Sequence, residues 1–432
     1  MVAASTGRPV PAEPPLRTDS DPNVEIVRDW LAEYVYETMR TQTLEQIVDR
    51  LDNAIIARIP ELADRDIRRD LAASTRAHAR VVLSGLTSDT FDVTLPDEVH
   101  AFARTIARRG FQLRLLLRTY HVGQEAVLDY MTDAIEERRP PQQIERAVML
   151  RLFERSTRWV GNSVEALTDT YMEERERILR ADLTRRTETV RALLADDELD
   201  IDQASIRLGY RLAQHHVAFV LWADDSSDAE MSGQLDRVAA RLAAALGSTR
   251  VLTVPSGASG MWAWVGLDDA ADLTEPGRLE RLAAGSVEPP MRVAFGVPAG
   301  QVAGFRNSHR EAVAARQVAE RGGARITGYR EVEIAYLAGA DDAAMRALIG
   351  RELRAVAGRD ANATRLRETL HAYLKSHRSP EATAKLLGVH KNTVRYRIQR
   401  IEELLGHSIE ARSLPLEIAL ACVATYGADA LP

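Results

Sequence analysis

One cysteine, Cys422, is all that the 432 residues contain. The chain can therefore form no intrachain disulfide and no cysteine-rich zinc site, a usage that fits a reducing cytoplasm. No uninterrupted apolar run approaches the ~20 residues of a membrane-spanning helix, and the first residues lack the basic start and apolar stretch of a signal peptide. A cytoplasmic protein with no membrane partner is expected. Positive charge does not prevail overall: 56 Lys and Arg against 63 Asp and Glu give a net charge of −7, whereas phosphate binding depends on Lys and Arg. Charge has to be read segment by segment. Against these absences, apolar residues make up 45% and charged residues 28%, an ordinary globular composition. The length exceeds what one compact core organises, so two to four domains are expected.

Residues 1–22 hold five prolines (Pro9, Pro11, Pro14, Pro15, Pro22) and few large apolar groups. Such a stretch cannot offset its own ordering entropy and predicts a disordered tail. From Val24 to about Leu194 the apolar spacing is helical, as in Ile47, Val48, Leu51, Ile55 and Ile59. Turn punctuation at Pro60, Leu95-Pro96-Asp97, Arg109-Gly110 and Pro140-Pro141 divides the region into a bundle. Its last helix, roughly Ser163 to Leu194, carries Leu167, Tyr171, Ile178 and Ala181 among charges. It reads either as a coiled-coil connector between protomers or as a bundle helix that runs on, since Glu174 and Arg185 interrupt the seam.

Beyond residue 200 the pattern changes. Short apolar runs at 217–222, 251–254, 261–265 and 292–297, bounded by Gly, Pro, Asp or Ser, read as buried strands. Helical stretches at 231–246, 278–284 and 304–320 alternate with them, which predicts helices against a mostly antiparallel sheet. After Ile334 the chain turns helical again, with a final helical unit from about Thr364 to Tyr426.

Within that unit, Ser379, Pro380 and Glu381 mark a helix N-terminus: a capping hydroxyl, a residue suited to the first turn, and an acid at the positive end of the dipole. Gly388 marks its end, and a second helix opens near Lys391. Ala384 offers the small contact that two steeply crossing helices need, while Val394, Ile398, Ile401 and Leu405 give the second helix one apolar face. This is helix-turn-helix spacing. The opposite face carries Lys391, Asn392, Thr393, Arg395, Tyr396, Arg397, Gln399 and Arg400. Over residues 361–412 there are ten Lys or Arg and five Asp or Glu, a local charge of 10 − 5 = +5 that leaves −7 − 5 = −12 for the rest. A basic module on an acidic body presents only one face to a polyanion. Residues at the start of such a helix enter the major groove most deeply, so Lys391, Asn392 and Arg395 are candidates for base edges. Tyr396, Arg397 and Arg400 are candidates for phosphates.

The segment HKNTVRYRIQRIEELLG, with the upstream LRETLHAYLKSHRSPEATAKLLGV and the trailing LEIALACVATY, resembles the C-terminal helix-turn-helix of PucR/CdaR-type bacterial transcriptional regulators. The resemblance implies that Lys391, Asn392, Thr393, Arg395, Tyr396 and Arg397 occupy the recognition helix, with Lys391 standing where Arg is common. MRVAFGVPAGQVAGFRNSHREAVAARQVAE is similar to part of the GGDEF-like domain that usually precedes this motif. RRGFQLRLLLRTYHVGQEAVLDYM resembles the helical domain of some PucR relatives and of stressosome co-antagonist proteins of the RsbRD type. The expected architecture is multidomain. An all-α N-terminal bundle (23–160) and a connector helix (161–198) precede an α/β (α+β) degenerate GGDEF-like domain (199–345). An all-α helix-turn-helix domain (360–428) follows.

A GGDEF fold suggests a nucleotide cyclase, which needs carboxylates to hold two divalent metals. The turn Pro255-Ser256-Gly257-Ala258-Ser259-Gly260, where the motif belongs, has no acid, and Asp224-Asp225 alone read as a strand-end turn. No enzyme activity is expected, and no metal site or cofactor. His215-His216 cannot easily share an ion, because adjacent strand residues point to opposite faces. His121 reads as a packed helix histidine rather than a haem ligand, and Asp196-Asp197-Glu198 as a solvated linker. The expected protein is a homodimeric or higher oligomeric regulator that binds double-stranded DNA and responds to a signal, such as a small-molecule effector, through its N-terminal or middle domain. A stressosome-like scaffold with a vestigial helix-turn-helix is the alternative.

Overall fold

The computed structural model describes residues 22–88, 94–223, 229–257, 259–270, 273, 275 and 277–431. The expected tail lies outside the described residues except for Pro22, where the first helix opens. The chain divides into two compact units, Met1–Asp182 and Leu183–Pro432.

The first unit is built from α1 (Pro22–Thr38), α2 (Thr41–Arg58), α3 (Arg65–Thr87), α4 (Asp97–Arg108), α5 (Leu113–Arg138) and most of α6 (Gln142–Leu194). The breaks after α2, α3, α4 and α5 fall at the punctuation named above, while that between α1 and α2, at Met39 and Arg40, carries no such signal. Asp64 caps α3 by accepting from the backbone N–H groups of Asp66 (3.1 Å) and Ile67 (3.4 Å), satisfying two donors that have no partner inside the helix. The helix expected from Ser163 is the second half of α6, which starts at Gln142. The seam residues Leu167 and Tyr171 are buried in this unit's own core, and the Tyr171 hydroxyl donates to the Phe111 carbonyl at 2.7 Å. Ile178 is half-buried and Ala181 exposed.

His121 is not packed. Its side chain is exposed beside Glu125, whose carboxylate lies 3.3 Å from Nε2. The neighbouring Tyr120 takes the inward position on α5, and one residue is a 100° turn of the helix. The packed histidine of the bundle is His78 on α3, with a ring nitrogen 2.9 Å from the Tyr120 hydroxyl.

The second unit opens with the end of α6 and continues through α7 (Ile201–Leu208), β1 (His215–Ala223), α8 (Ala229–Ala245), β2 (Val251–Pro255), β3 (Gly260–Leu267), α9 (Arg278–Ala284) and β4 (Met291–Phe295). It then passes through β5 (Ala299–Gly300), α10 (Gln301–Gly322), β6 (Ile326–Gly328), α11 (Tyr329–Ala338) and α12 (Asp342–Leu353). The sheet order is β2-β3-β1-β4-β6, with β5 paired to β1, and every pairing is antiparallel except β4 with β6. Strand β1 shows why both faces are covered. Val217, Phe219, Leu221 and Ala223 enter one core cluster with residues of α8 and α9, and Ala218, Val220 and Trp222 enter another with α10, as the two-residue period of a strand requires. Gly296 follows β4 where α10 passes so closely that a Cβ would stand 2.0 Å from the Ser308 carbonyl oxygen; only glycine permits that approach.

Asp224 and Asp225 lie outside the described residues, as does Ala258 of the Pro255–Gly260 turn. His216 is fully buried. One ring nitrogen, Nε2, faces the Leu212 carbonyl at 2.9 Å and the other the Tyr210 hydroxyl at 2.9 Å. A carbonyl only accepts, so Nε2 carries the proton and Nδ1 accepts from Tyr210. Asp196 pairs with Arg306, whose side chain also donates to the Leu193 carbonyl, so the acidic run is tied to α10 at one point.

Candidate nucleic-acid interface

The C-terminal region is α13 (Ala361–Lys375), α14 (Pro380–Leu387), α15 (Lys391–Leu405) and α16 (Ser413–Tyr426). Asp360 caps α13 through the N–H groups of Asn362 (2.9 Å) and Ala363 (3.0 Å). Between α13 and α14 the chain reverses through His377 and Arg378, both left-handed at φ 51° and 61°, a conformation that non-glycine residues adopt at a cost. The Arg378 N–H donates to the Tyr373 carbonyl at 2.8 Å and its guanidinium to the Ser413 hydroxyl at 2.7 Å, which holds the turn.

Ser379 caps α14, its hydroxyl accepting from the Ala382 N–H at 3.2 Å. Gly388 ends that helix at φ 67°, and the Val389 N–H returns to the Ala384 carbonyl at 3.1 Å, the left-handed ending that glycine favours. Ala384 is buried at the crossing. His390 caps α15, its Nδ1 accepting from the Asn392 N–H at 3.2 Å. A histidine before a helix start is an uncommon cap, and only the geometry reveals it.

Val394, Ile401 and Leu405 are fully buried and Ile398 packs against the same core. The other side of α15 exposes Lys391, Asn392, Arg395, Tyr396, Gln399 and Arg400, while Thr393 and Arg397 are half-buried. Tyr396 is 70% exposed, a large aromatic with no partner core. Arg397 stands apart: its Nη1 donates to the Thr369 hydroxyl on α13 at 3.0 Å, so part of its guanidinium serves the domain itself. Arg400 pairs with Glu403 at 2.8 Å. Glu381, at the start of α14, accepts from Arg395 at 3.2 Å and stands 3.8 Å from Lys391 Nζ. One acid of the first helix thus sits among the cations of the second. No spacing rule links positions 381 and 395, since the pair forms only once the two helices cross.

The motif is anchored from behind. α16 packs against α10, α11, α12 and α13. The Tyr426 hydroxyl donates to the Ala335 carbonyl at 2.9 Å, and the Arg321 guanidinium lies 4.3 Å above the Tyr426 ring. Buried Glu352 accepts two hydrogen bonds from Arg412 (2.9 and 2.5 Å), and those hydrogen bonds hold its carboxyl below the usual carboxylate range. Among the described residues no three His, Cys, Asp or Glu side chains gather as a metal site, and no helix is long and apolar enough to cross a membrane.

Three family models match in succession: the N-terminal domain of the RsbT co-antagonist protein RsbRD over residues 45–186, a GGDEF-like domain over 192–318, and the PucR C-terminal helix-turn-helix domain over 366–424. An uncharacterized protein in the pkwA 5′ region of Thermomonospora curvata is 50% identical over 64 residues, 15% of this chain and 33% of that protein. The transcriptional activator PmfR of Paenarthrobacter nicotinovorans is 43% identical over 63 residues, 15% of this chain and 13% of its own length. The purine catabolism regulatory protein of Bacillus subtilis is 39% identical over 69 residues, 16% of this chain and 13% of its own length. The match thus spans a third or less of each of these relatives. The chain thus carries, in this order, a RsbRD-type N-terminal domain, a GGDEF-like domain and a PucR-type C-terminal helix-turn-helix.

Proposed function

We propose that the chain is a sequence-specific DNA-binding transcriptional regulator of the PucR/CdaR type, a homodimer or higher oligomer in the cytoplasm and not a nucleotide cyclase. The observation that carries this is α15, whose buried Val394, Ile401 and Leu405 anchor it while Lys391, Asn392, Arg395, Tyr396 and Arg400 stand exposed. The relatives named as an activator and as a purine catabolism regulator support the same class of activity. Lys391, Asn392 and Arg395 would reach base edges, Lys and Arg matching guanine and Asn matching adenine. Tyr396 and Arg400 would hold phosphates, with Thr393 and the half-engaged Arg397 at the margin. One reader covers few base pairs, and a dimer sets two of them ~34 Å or a multiple apart along the groove. A signal acting on the N-terminal or middle domain would shift the spacing of the two readers.

The test is titration of a duplex selected from a random pool, and of a random duplex, at several salt concentrations. Asn392→Ala should cost about 1–3 kcal/mol on the selected duplex and relax discrimination at one position of each half-site. Arg400→Ala should weaken binding to both duplexes alike and lower the salt slope by about one unit. Absence of any salt-dependent binding would favour the scaffold alternative.

A further inference from the structure

The N-terminal unit contains a cavity of about 130 Å³ lined by side chains of α1 to α6. Its wall is mostly apolar, with a hydrogen-bonded line of three side chains, several separate hydroxyls and the Gln124 amide supplying the polar groups. Trp159 Nε1–H donates to His78 Nδ1 at 2.8 Å, and the other ring nitrogen of His78 lies 2.9 Å from the Tyr120 hydroxyl. An indole N–H can only donate, so Nδ1 is unprotonated, Nε2 carries the proton of the neutral ring, and Tyr120 accepts it. Burial pushes His78 down to about 4, so the ring is neutral near pH 7. Ser74 lines the cavity beside this group.

Other lining hydroxyls have committed their protons. Thr119 donates to the Leu115 carbonyl at 2.8 Å, Ser156 to the Phe153 carbonyl at 3.2 Å and Thr75 to Asp52 at 2.6 Å. What these oxygens still offer is lone pairs. Among the described residues no Asp, Glu, Lys or Arg lines the cavity, so an ion entering it would lose hydration without meeting an opposite charge. An apolar cavity of roughly 150 Å³ is large enough for benzene, and this one is of that order.

We propose that this cavity is a binding site for an uncharged molecule the size of one aromatic ring, apolar over most of its surface and carrying a single hydroxyl or amine that donates to the Tyr120 oxygen. Its identity as the signal of a regulator rests on the DNA-binding function above. Its occupancy does not, and is measured without DNA.

Calorimetric titration and thermal melting of the full chain with phenol, toluene and benzoate test it. Phenol should bind saturably at millimolar concentration or below and raise the melting temperature of the N-terminal unit; toluene should bind more weakly, and benzoate not at all. Tyr120→Phe should weaken phenol binding about tenfold and leave toluene unchanged, a split that a general loss of packing would not produce. Gly123 lines the cavity, and a Cβ there meets nothing nearer than Ile55 Cδ1 at 3.6 Å. Gly123→Leu, checked for helical content, should fill the space and abolish binding of both. The proposal is overturned if phenol does not bind, if benzoate binds as tightly as phenol, if Tyr120→Phe weakens toluene as much as phenol, or if a folded Gly123→Leu protein binds phenol as the parent does.

Discussion

The two units differ in how far any one cluster of buried apolar side chains extends. In the first, the buried residues fall into three separate clusters, one around Ile59 and Phe102, one around Leu31 and Leu152, and a small one of Ile47, Leu51 and Ala126. The cavity beside His78 is lined by members of all three. In the second there are two, one confined to the α8 and α9 face of the sheet and a larger one that runs from Val190 and Leu193 at the end of α6, across Val220 and Trp264 of the sheet, through Phe305 and Ile349, to Ile401, Leu405 and Leu420 of the helix-turn-helix region. A divided core leaves room for a small molecule. A continuous one ties the recognition helix to the sheet, because close-packed interiors transmit strain rather than absorb it.

The largest expected effect tests that continuity. Phe305 is fully buried and stacked on Trp264 with ring centroids 4.4 Å apart. Phe305→Ala should cost about 3–5 kcal/mol, and differential scanning calorimetry should show the sheet and the helix-turn-helix region losing stability together while the first unit's transition stays in place. Separate melting of α13–α16 would break the comparison.

Acid should separate the units next. His216 and His309 of the second unit are pushed down to about 4 by burial. The unfolded chain therefore takes up their protons first, and stability falls as pH drops from the ordinary histidine value toward 4. Between pH 7 and 5 the loss is on the order of 1–2 kcal/mol per histidine. In the first unit His78 contributes a loss of the same sign. Asp52 offsets it, since burial raises its carboxyl to about 6 and the folded form protonates first as pH falls through that value. Melting profiles between pH 7 and 5 should show the second unit declining faster; equal decline would remove this distinction.

The smallest effect sharpens the picture of the reader. The Glu381 pairs with Arg395 and Lys391 join side chains that are each about half-exposed, and such pairs add at most ~1 kcal/mol to stability. Glu381→Gln should therefore leave melting unchanged while tightening binding to every duplex by a few-fold at low salt, because one negative charge leaves the interface and two cations are released. Fluorescence titration with random duplexes measures this, and an unchanged affinity would mean that Glu381 does not compete with DNA.

Much of the candidate interface was legible in the sequence. The Ser379 cap, the Gly388 ending, the buried Ala384 and the apolar row from Val394 to Leu405 all act within one or two helical turns. Strands 217–222 and 261–265 were legible for the same reason, through runs of apolar residues between breakers. The short β5 and β6 were not, being two and three residues long. His121, expected to pack, is exposed because a single helix pattern of mixed character fixes register only to within a residue, and one residue separates it from the inward Tyr120 of α5.

The sequence by itself determined the order of helical bundle, mixed sheet and helix-turn-helix, together with which residues of α15 face inward, because those properties follow from spacings of two to four residues. Only the tertiary structure decided the rest. It turned Arg397 to Thr369, drew Glu381 to Arg395, closed a neutral hydrogen-bonded line from Trp159 through His78 to Tyr120 around a cavity, and merged the sheet and the reader, expected as distinct spans, into one core. Each of these joins side chains 14 to 91 positions apart. Contacts at such separations carry no periodic signal and form only when whole elements pack.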